Sequence, residues 1–353
     1  MSMDLIDLRS DFLATPSQAM HAAAATAADS RYFGLREDPW QQRLEARVAE
    51  LLGKEDALIF PTCSMANTAA LMAQCHPGDT VLCPADAHVL LSECNAAAAL
   101  AGVAPRVVTD PDVAPSRQWI APATAWAQAL GVGTDAQRSP VSLCVLENTH
   151  NRVGGWALPI DHLDAVAQAA RSAGVRLHMD GARLLYAAAA QGVAPARLVR
   201  DCDSIALSLN KHFGAPVAAA LAGSRALIAE ALVMRQRLGG GLRPVGAACA
   251  AALQGLNELD ELSMVIARTR RLAKELAILP HITVEQPERC TNLVVLQISP
   301  SKEVDRVLSE LASRNVLALP FGPGRLRLAL HRGITDAQVA AVLAAASQVF
   351  SFI

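Results

Sequence analysis

The sequence predicts an α/β fold: a mostly parallel sheet covered by helices, with a smaller C-terminal α+β domain. Short, continuously apolar runs recur between residues 56 and 223, and segments of helical character separate them. Such runs are typical of parallel strands that are buried on both faces. After residue 247 the order changes to a few strands mixed with helices, which indicates a second packing unit.

The elements can be placed in order along the chain. An extended arm is followed by a helix from about Ser17 to Ala28, a loop over 29–40 and a helix over 41–52. Strands of the first sheet are expected at 56–60, 80–84, 105–109, 141–147, 175–180, 204–209 and 217–223, with helices that include 88–102 and 161–173. The second unit should contain a long helix over 247–262, strands near HITVEQ and at 293–299 and 325–330, a helix over 302–314 and a C-terminal helix. We therefore expect an N-terminal arm (1–20), a large domain (21–246) and a small C-terminal domain (247–353).

Composition narrows the classes of protein that the chain can represent. The 353 residues are 52% hydrophobic and 18% charged, with a formal net charge of −2. No basic stripe interleaved with aromatic residues is present, so no nucleic-acid partner is expected. No run is long enough to cross a bilayer, and the acidic N-terminal segment does not resemble a signal peptide. Eight scattered cysteines without metal-type spacing indicate reduced thiols, a cytoplasmic location and no metal site.

Two charged residues carry the main chemical signal. Asp180 and Lys211 each close an apolar run, and the two runs read as consecutive strands. Pyridoxal 5'-phosphate (PLP) needs a lysine amine for its Schiff base and a carboxylate that keeps its pyridine nitrogen protonated. The pair therefore suggests a PLP site. Taken alone, Asp180 could instead cap a helix and Lys211 could be a solvated loop residue.

Further polar residues follow the other strands, where open α/β sheets bind ligands. Thr62, Cys63 and Ser64 come directly before a helix, where backbone amides could bind the cofactor phosphate, although a simple helix cap fits equally. His88 could stack on the pyridine ring or act as a base, or be a helix-start residue. Asn148 begins a polar quartet after the fourth strand, and turn chemistry also explains it.

Arginines and a serine could complete an amino-acid site. Arg183 lies three residues after Asp180, and arginine suits the recognition of a carboxylate by two hydrogen bonds. Arg327 is a charge inside an apolar run and is a second candidate anchor, although an outward-facing position on a strand would also explain it. Ser208, three residues before Lys211, could add a hydroxyl to the phosphate site. The glycine-rich turn at 238–246 lacks the spacing of a dinucleotide fingerprint.

Taken in order, these pieces resemble the L-threonine aldolase family, within the aromatic amino acid β-eliminating lyase/threonine aldolase group of fold type I PLP-dependent transferase-like enzymes. The matching stretches are DLRSD (7–11), REDPWQQRLEARVAELLGKEDALIF (36–60), MAN (65–67), PGD (77–79), AH (87–88), LENTHNRVGGWALP (146–159), HMDGARL (178–184), LNKHFGAPV (209–217), LAGSR (221–225), LGGGLR (238–243) and RLALH (327–331). The resemblance covers essentially the whole chain.

The resemblance implies a role for each matching residue. Lys211 would form the Schiff base with PLP, Asp180 would pair with the pyridine nitrogen, and His88 would stack on the ring. The turn at 62–64 would hold the phosphate. The substrate carboxylate would be held by Ser10, Arg183 and Arg327, with Arg183 also near the phenolic oxygen of the cofactor. Arg243, together with Arg237, would reach a phosphate in a neighbouring subunit, because family members are homotetramers that share active sites.

The implied reaction is cleavage of L-threonine, L-allo-threonine or a related β-hydroxy-α-amino acid to glycine and an aldehyde. The chain departs from the family at Cys63, where a glycine is usual, at residues 32–39, which contain an apparent two-residue insertion, and at Asn210 and His212, which replace the usual Ser and Gly. A second active-site histidine is missing from residues 113–146, which leaves His88, or a water that it activates, as the candidate base. β-Elimination and racemisation with the same cofactor remain alternatives, as does a cofactor-free binding protein.

Overall fold

The computed structural model describes residues 5–110, 112, 120–131, 135–217, 219–284 and 286–351. The strands are β1 (Ile6–Asp7), β2 (Asp56–Phe60), β3 (Thr80–Cys83), β4 (Ala104–Val107), β5 (Val141–Glu147), β6 (Arg176–Gly181), β7 (Ser204–Ser208), β8 (Ala219–Gly223), β9 (Ile282–Thr283), β10 (Leu293–Ile298), β11 (Val316–Leu317), β12 (Leu319–Pro320) and β13 (Arg325–Ala329).

The α-helices of the described residues alternate with these strands. They are α1 (Gln18–Thr26), α2 (Pro39–Leu52), α3 (Cys63–Gln74), α4 (His88–Leu91), α5 (Ala96–Ala99), α6 (Ala123–Leu130), α7 (Ile160–Ser172), α8 (Leu184–Gln191), α9 (Pro195–Leu198), α10 (Asn210–Phe213), α11 (Arg225–Arg237), α12 (Gly246–Gly255), α13 (Glu261–Leu276), α14 (Val304–Ala312) and α15 (Asp336–Phe350).

Seven strands form the central sheet in the order β2-β8-β7-β6-β5-β3-β4. Strand β8 runs antiparallel to both of its neighbours, and the other pairs are parallel. Strands β7 and β8 are buried at every described position, as expected where helices cover both faces of a sheet. The predicted mostly parallel sheet is therefore confirmed, and the parallel strands bring their carboxyl ends to one edge.

A smaller antiparallel sheet follows, with the strand order β12-β13-β10-β9. Strand β1 of the N-terminal arm pairs in parallel with β11, so the arm is attached to the C-terminal part of the chain. The arm then passes against the turn after Lys211. Gly214 has a φ of +72°, and a side chain there would collide with the backbone of Ala14. The division of the chain into an arm, a large domain and a small domain, with limits at residues 20 and 246, stays a prediction.

Two predicted helices are broken in the structure. The run 88–102 forms only the single turns α4 and α5, because Cys94 and Asn95 adopt positive φ values of 49° and 58° between them. The expected helix over 247–262 ends with α12 at Gly255, and α13 begins at Glu261. Glycine and asparagine at 255 and 257 are poor helix formers, which accounts for a turn at this point.

None of the helices formed by the described residues combines the length and the apolar character needed to cross a bilayer.

Candidate active site

The predicted chemical residues converge at the carboxyl edge of the central sheet. Asp180 is the second-last residue of β6, and Lys211 follows the adjacent strand β7. His88 follows β3, and Asn148 follows β5, which lies between β3 and β6. The parallel arrangement therefore brings together side chains that are far apart in the sequence.

Asp180 is buried, and a residue of α3, Asn67, helps to hold its carboxylate. Its Oδ2 accepts a hydrogen bond of 2.9 Å from Asn67 Nδ2, and its Oδ1 accepts one of 3.1 Å from the amide of Ala182. The same Asn67 amide group lies 2.9 Å from Glu93 Oε1. Two fixed donors thus hold the Asp180 carboxylate in one orientation.

His88 is positioned by two carboxylates. Its Nδ1 lies 2.9 Å from Glu93 Oε1, and its backbone amide donates to Glu147 Oε2 at 2.7 Å. Burial lowers the pKa of His88, but the hydrogen bond to Glu93 and the nearby charges of Asp180 and Glu147 outweigh it, so the pKa lies above its ordinary value. The imidazole is therefore a proton-carrying group beside the candidate cofactor site.

A second histidine, His178, is fully buried beside Asn67. His178 Nε2 is 3.1 Å from Asn67 Oδ1, and its Nδ1 is 2.8 Å from Ser204 Oγ, which accepts from Gln74 Nε2 at 2.8 Å. Burial lowers the pKa of His178 to about 4. The neutral ring orients Asn67, so the hydrogen bonds that hold Asp180 extend through the sheet.

Lys211 is buried in the short helix α10, directly after β7. Its backbone amide donates to Ser208 Oγ at 3.4 Å, and its Nζ lies 5.1 Å from the ring centroid of Phe12 on the arm. Within the described residues no carboxylate lies within ion-pair distance of Nζ. The amine is thus sequestered without a permanent ionic partner.

The turn at 62–64 forms the N-terminus of α3. Thr62 caps the helix, because its Oγ1 accepts from the amide of Met65 at 3.0 Å. Cys63 and Ser64 occupy the first helical turn, where backbone amides lack partners within the helix. Such an end attracts an anion.

Arg183 is paired with Asp11, a residue of the matching stretch DLRSD to which no role in the site was assigned. Its Nε and Nη2 donate to the two oxygens of Asp11 at 2.6 and 2.8 Å, and both side chains are buried. Burial opposes ionisation of Asp11, but the charge and hydrogen bonds of Arg183 hold its pKa well below the ordinary value. The remaining nitrogen, Nη1, lies 3.3 Å from Asn151 Oδ1. Arg183 therefore presents only one nitrogen toward a further ligand.

Arg327 approaches the same asparagine from the small sheet. Its Nη1 donates to Asn151 Oδ1 at 3.0 Å, and its Nη2 donates to the carbonyl of Arg9 at 3.0 Å. Its Nε is buried and has no hydrogen-bond partner among the described residues. Burial and the neighbouring charge of Arg183 lower the pKa of Arg327 to about 10. No carboxylate of the described residues forms an ion pair with Arg327, so it is the more available of the two predicted anchors.

Three predicted residues have other surroundings. Ser10 lies on the arm, and its Oγ accepts from the amide of Phe12 at 3.2 Å. Asn148 Oδ1 accepts from the amide of Leu158 at 3.1 Å, while its Nδ2 is buried without a partner among the described residues. Arg243 lies on the exposed surface, where its Nη1 donates to the carbonyl of Phe33 at 2.9 Å. The geometry within one chain does not bring Arg243 to the edge of the sheet where Lys211 lies.

Comparisons with known proteins agree over nearly the whole chain. The family model described as beta-eliminating lyase matches residues 7–299. Low-specificity L-threonine aldolase 1 of Arabidopsis thaliana is 32% identical, covering 96% of this chain and 94% of its own length. Low specificity L-threonine aldolase of Escherichia coli K12 is also 32% identical, covering 96% and 98%. A solved structure of Leishmania major threonine aldolase has a TM-score of 0.79 at 17% identity, covering 98% of this chain and 99% of that one.

The chain belongs to the L-threonine aldolase family. This membership confirms the predicted family and fold class, and PLP-dependent lyase chemistry is the chemistry of that family. The residues present fit PLP: a buried carboxylate and a buried amine stand at neighbouring strand ends, and a helix N-terminus lies at the same edge. Asn148 Nδ2 and Thr149 Oγ1 are buried polar atoms without described partners, as expected of groups that face a polar ligand.

Sequence reasoning missed Asn67, Glu93 and Asp11 as members of the site. Glu93 follows His88 by five residues inside an alanine-rich run, and a charge in such a run was a usable signal. Asn67 lay within a matching stretch but carried no assigned role. Asp11 is separated from Arg183 by 172 positions, and no local pattern connects them.

Proposed function

We propose that this protein uses PLP to cleave L-threonine, L-allo-threonine or a related β-hydroxy-α-amino acid into glycine and an aldehyde. The observation that carries the proposal is the position of Lys211 and Asp180 at the ends of adjacent strands, with Arg327 as a buried cation on the facing sheet. An amine, a ring-nitrogen partner and a carboxylate anchor are the groups that an amino-acid substrate of PLP requires.

Residues at the carboxyl edge of the central sheet would hold the cofactor. Lys211 is the attachment point, Asp180 the partner of the pyridine nitrogen, and His88 the residue that covers the ring. The turn at 62–64, with the hydroxyl of Ser208, would bind the phosphate. PLP, when bound, accepts the electron pair of the broken bond into its ring. The hydrogen bonds from Asn67 and Ala182 keep Asp180 aimed at one point during this change of charge.

The substrate carboxylate would be bound at the meeting point of the arm and the small sheet. Arg327 supplies its unpartnered Nε, Arg183 supplies Nη1 beside Asn151, and Ser10 lies on the arm one residue before Asp11. Fixing the carboxylate orients the Cα–Cβ bond for cleavage. His88, backed by Glu93, would accept the β-hydroxyl proton or act through a water, because the carboxylate of Glu93 raises its pKa above the ordinary value and so makes it a stronger base.

The proposal extends to assembly and location. Exposed Phe33 and the adjacent Arg243 form a surface that would meet a neighbouring subunit, and Arg243 with Arg237 would there reach that subunit's phosphate. A homotetramer built in this way would share its active sites. A cytoplasmic location is supported by the eight free cysteines, most of them buried.

A substrate panel tests the function. Protein supplied with PLP is incubated with both diastereomers of threonine and of phenylserine, and aldehyde and glycine are measured. Each substrate that is cleaved should give aldehyde and glycine in equal amounts, and Lys211→Ala should abolish the formation of both. Ammonia and a keto acid would instead indicate β-elimination, and conversion of L-alanine to D-alanine would indicate racemisation. Either result without aldehyde would reject the aldolase proposal.

A further inference from the structure

A cavity of about 480 Å³ lies between the small sheet and the large region. Its wall combines apolar and charged side chains, among them Asp86, Arg152, Trp156, Val295, Gln297 and Arg325. None of these residues belongs to the catalytic set described above. A volume of this size greatly exceeds the space that the methyl group of threonine would need.

The cavity continues the wall that carries Arg327. In the antiparallel pair of β10 and β13, Val295 lies opposite Arg327 and Gln297 lies opposite Arg325. Alternation along a strand puts Arg325 and Arg327 on the same face, about 7 Å apart. Asp86, two residues before His88, also lines the cavity. The cavity is therefore lined by residues that neighbour the carboxylate anchor on the small sheet and the candidate base along the chain.

Positive charge is concentrated on this wall. The guanidinium carbons of Arg152, Arg327 and Arg325 lie 4.9, 5.0 and 5.5 Å from the ring centroid of Phe321. Arg325 Nη2 donates to the carbonyl of Arg152 at 2.6 Å, which fixes the two residues relative to each other.

Arg152 has no acidic partner in the described part of the chain. No carboxylate lies within ion-pair distance of its guanidinium, and its buried Nε makes no hydrogen bond there. Asp86 is the one acidic residue among those that line the cavity in the described structure. A partly buried guanidinium that borders a cavity and has no acidic partner among the described residues can bind a carboxylate.

We propose that this cavity is a subsite for a second carboxylate, carried by the side chain of a β-hydroxy-α-amino dicarboxylic acid. Arg327 would bind the α-carboxylate, and Arg152 with Arg325 would bind the distal one. The separation of the two arginines along β13 suits a five-carbon chain such as 3-hydroxyglutamate. Val295 and Trp156 would contact the methylene group between the charges.

This inference rests on the proposed aldol cleavage and specifies its substrate class. The base takes the proton of the β-hydroxyl, and the Cα–Cβ bond breaks with its electron pair remaining on Cα. The β-carbon becomes the aldehyde of 3-oxopropanoate, whose carboxylate is unchanged. Cα then takes up a proton, and glycine leaves. No oxidant or reductant is required.

The test compares two substrates in matched variants. Values of kcat/KM for 3-hydroxyglutamate and for threonine are measured with wild-type protein, Arg152→Met and the control Arg314→Met. Arg314 is ion-paired with Glu310 on α14, outside the cavity. We expect Arg152→Met to lower kcat/KM for the dicarboxylate about ten- to hundredfold, the usual weight of a charged hydrogen bond, while the value for threonine changes less than about twofold.

A second arm uses binding alone. Calorimetric titration with glutarate should show weaker binding to Arg152→Met than to wild type, and Arg152→Lys should recover part of the affinity because it keeps the charge. If threonine is cleaved but neither measurement separates Arg152→Met from Arg314→Met, the subsite is refuted and the aldolase proposal stands. If no substrate is cleaved but glutarate binding depends on Arg152, the anion subsite stands and the aldolase proposal fails. If Arg152→Met does not fold, Arg152→Gln replaces it in both arms.

Discussion

The buried pair of Asp11 and Arg183 gives a sharp prediction for stability. Replacement of Asp11 by Asn removes the negative charge but keeps the size of the side chain. Arg183 then remains as a buried cation whose nearest described neutral acceptor is Asn151. We expect Asp11→Asn to lower the free energy of unfolding by about 3–5 kcal/mol, the usual result when one partner of a buried ion pair is removed.

The magnitude follows from the geometry of the pair. Two charged hydrogen bonds, at 2.6 and 2.8 Å, join the two side chains, and both residues are almost fully inaccessible to solvent. In the wild-type protein Asn292 Nδ2 also donates to Asp11, at 2.9 Å. An asparagine at position 11 would keep one acceptor oxygen, but its amide group would point toward the guanidinium or toward the amide of Asn292. Two donors then face each other, so little of the lost energy is recovered.

The arm offers a matched control. Asp7 also forms a two-point ion pair, with Arg9, but the Arg9 side chain is 52% exposed. Asp7→Asn should change stability very little, because solvent screens such a pair. Urea unfolding of the PLP-loaded proteins, at one fixed protein concentration, measures both changes.

The pH dependence supplies a second check on the same residue. The folded-state pKa of Asp11 is depressed, so its contribution to stability is present above the unfolded-state pKa and is lost as the pH falls through the folded-state value. The difference between wild type and Asp11→Asn should therefore be constant from pH 5 to 7, as both limits lie above the ordinary pKa of an aspartate at about 4. It should shrink steadily as the pH falls below about 4, because the unfolded chain then binds a proton that the folded chain does not. Equal effects of Asp7→Asn and Asp11→Asn, or a loss below about 1 kcal/mol at pH 7, would refute the reasoning.

Three further changes test the site. Lys211→Ala should remove the visible absorption band of the Schiff base, and a band that survives removal of free PLP would contradict its assignment. Glu93→Gln should lower the pKa of His88, since the carboxylate of Glu93 raises it. The acid limb of the pH profile of kcat/KM should then move to lower pH. An acid limb that does not move would exclude His88 and Glu93 from proton transfer. His178 has a pKa of about 4 when folded, so below the ordinary pKa of 6.5 the unfolded chain binds a proton that the folded chain does not. Stability should thus fall between pH 6.5 and 4, and His178→Gln should reduce that slope by up to about 1.4 kcal/mol per pH unit, measured by urea unfolding.

The sequence predicted the central sheet well because its strands are local, apolar and separated by clear turns. Strands β2 and β5 have the predicted limits, 56–60 and 141–147. Asp180 and Lys211 could be paired in advance because the ends of consecutive parallel strands meet at one edge. The pattern of apolar runs does not predict the order of the strands in the sheet. The alanine-rich sequence of β8 also does not indicate that this strand runs antiparallel to its neighbours.

The sequence predicted less where a contact joins distant segments. The run 88–102 has good helical composition, yet positive φ values at Cys94 and Asn95 break it and place Glu93 beside His88. Local propensity gives no warning of this, because Glu93 also accepts a hydrogen bond of 2.9 Å from Asn67, 26 positions away in α3. The arm was predicted to be extended, but its pairing with β11, some 310 positions away, depends on the folded C-terminal part of the chain.

The two ends of the proposed active site depend on different parts of the fold. The Asp180 carboxylate is held by Asn67 of α3 and by the amide of Ala182, directly after β6. Arg327 is held by the arm, through the carbonyl of Arg9, and by Asn151 after β5. A shift of the small sheet would therefore alter the carboxylate anchor while the contacts of Asp180 stay unchanged. The arm accepts a hydrogen bond of 2.8 Å at the carbonyl of Leu8 from the amide of Ala329 in β13, and it binds Arg183 at Asp11. It therefore couples the small sheet to the central sheet, and damage to the arm should impair substrate binding before cofactor binding.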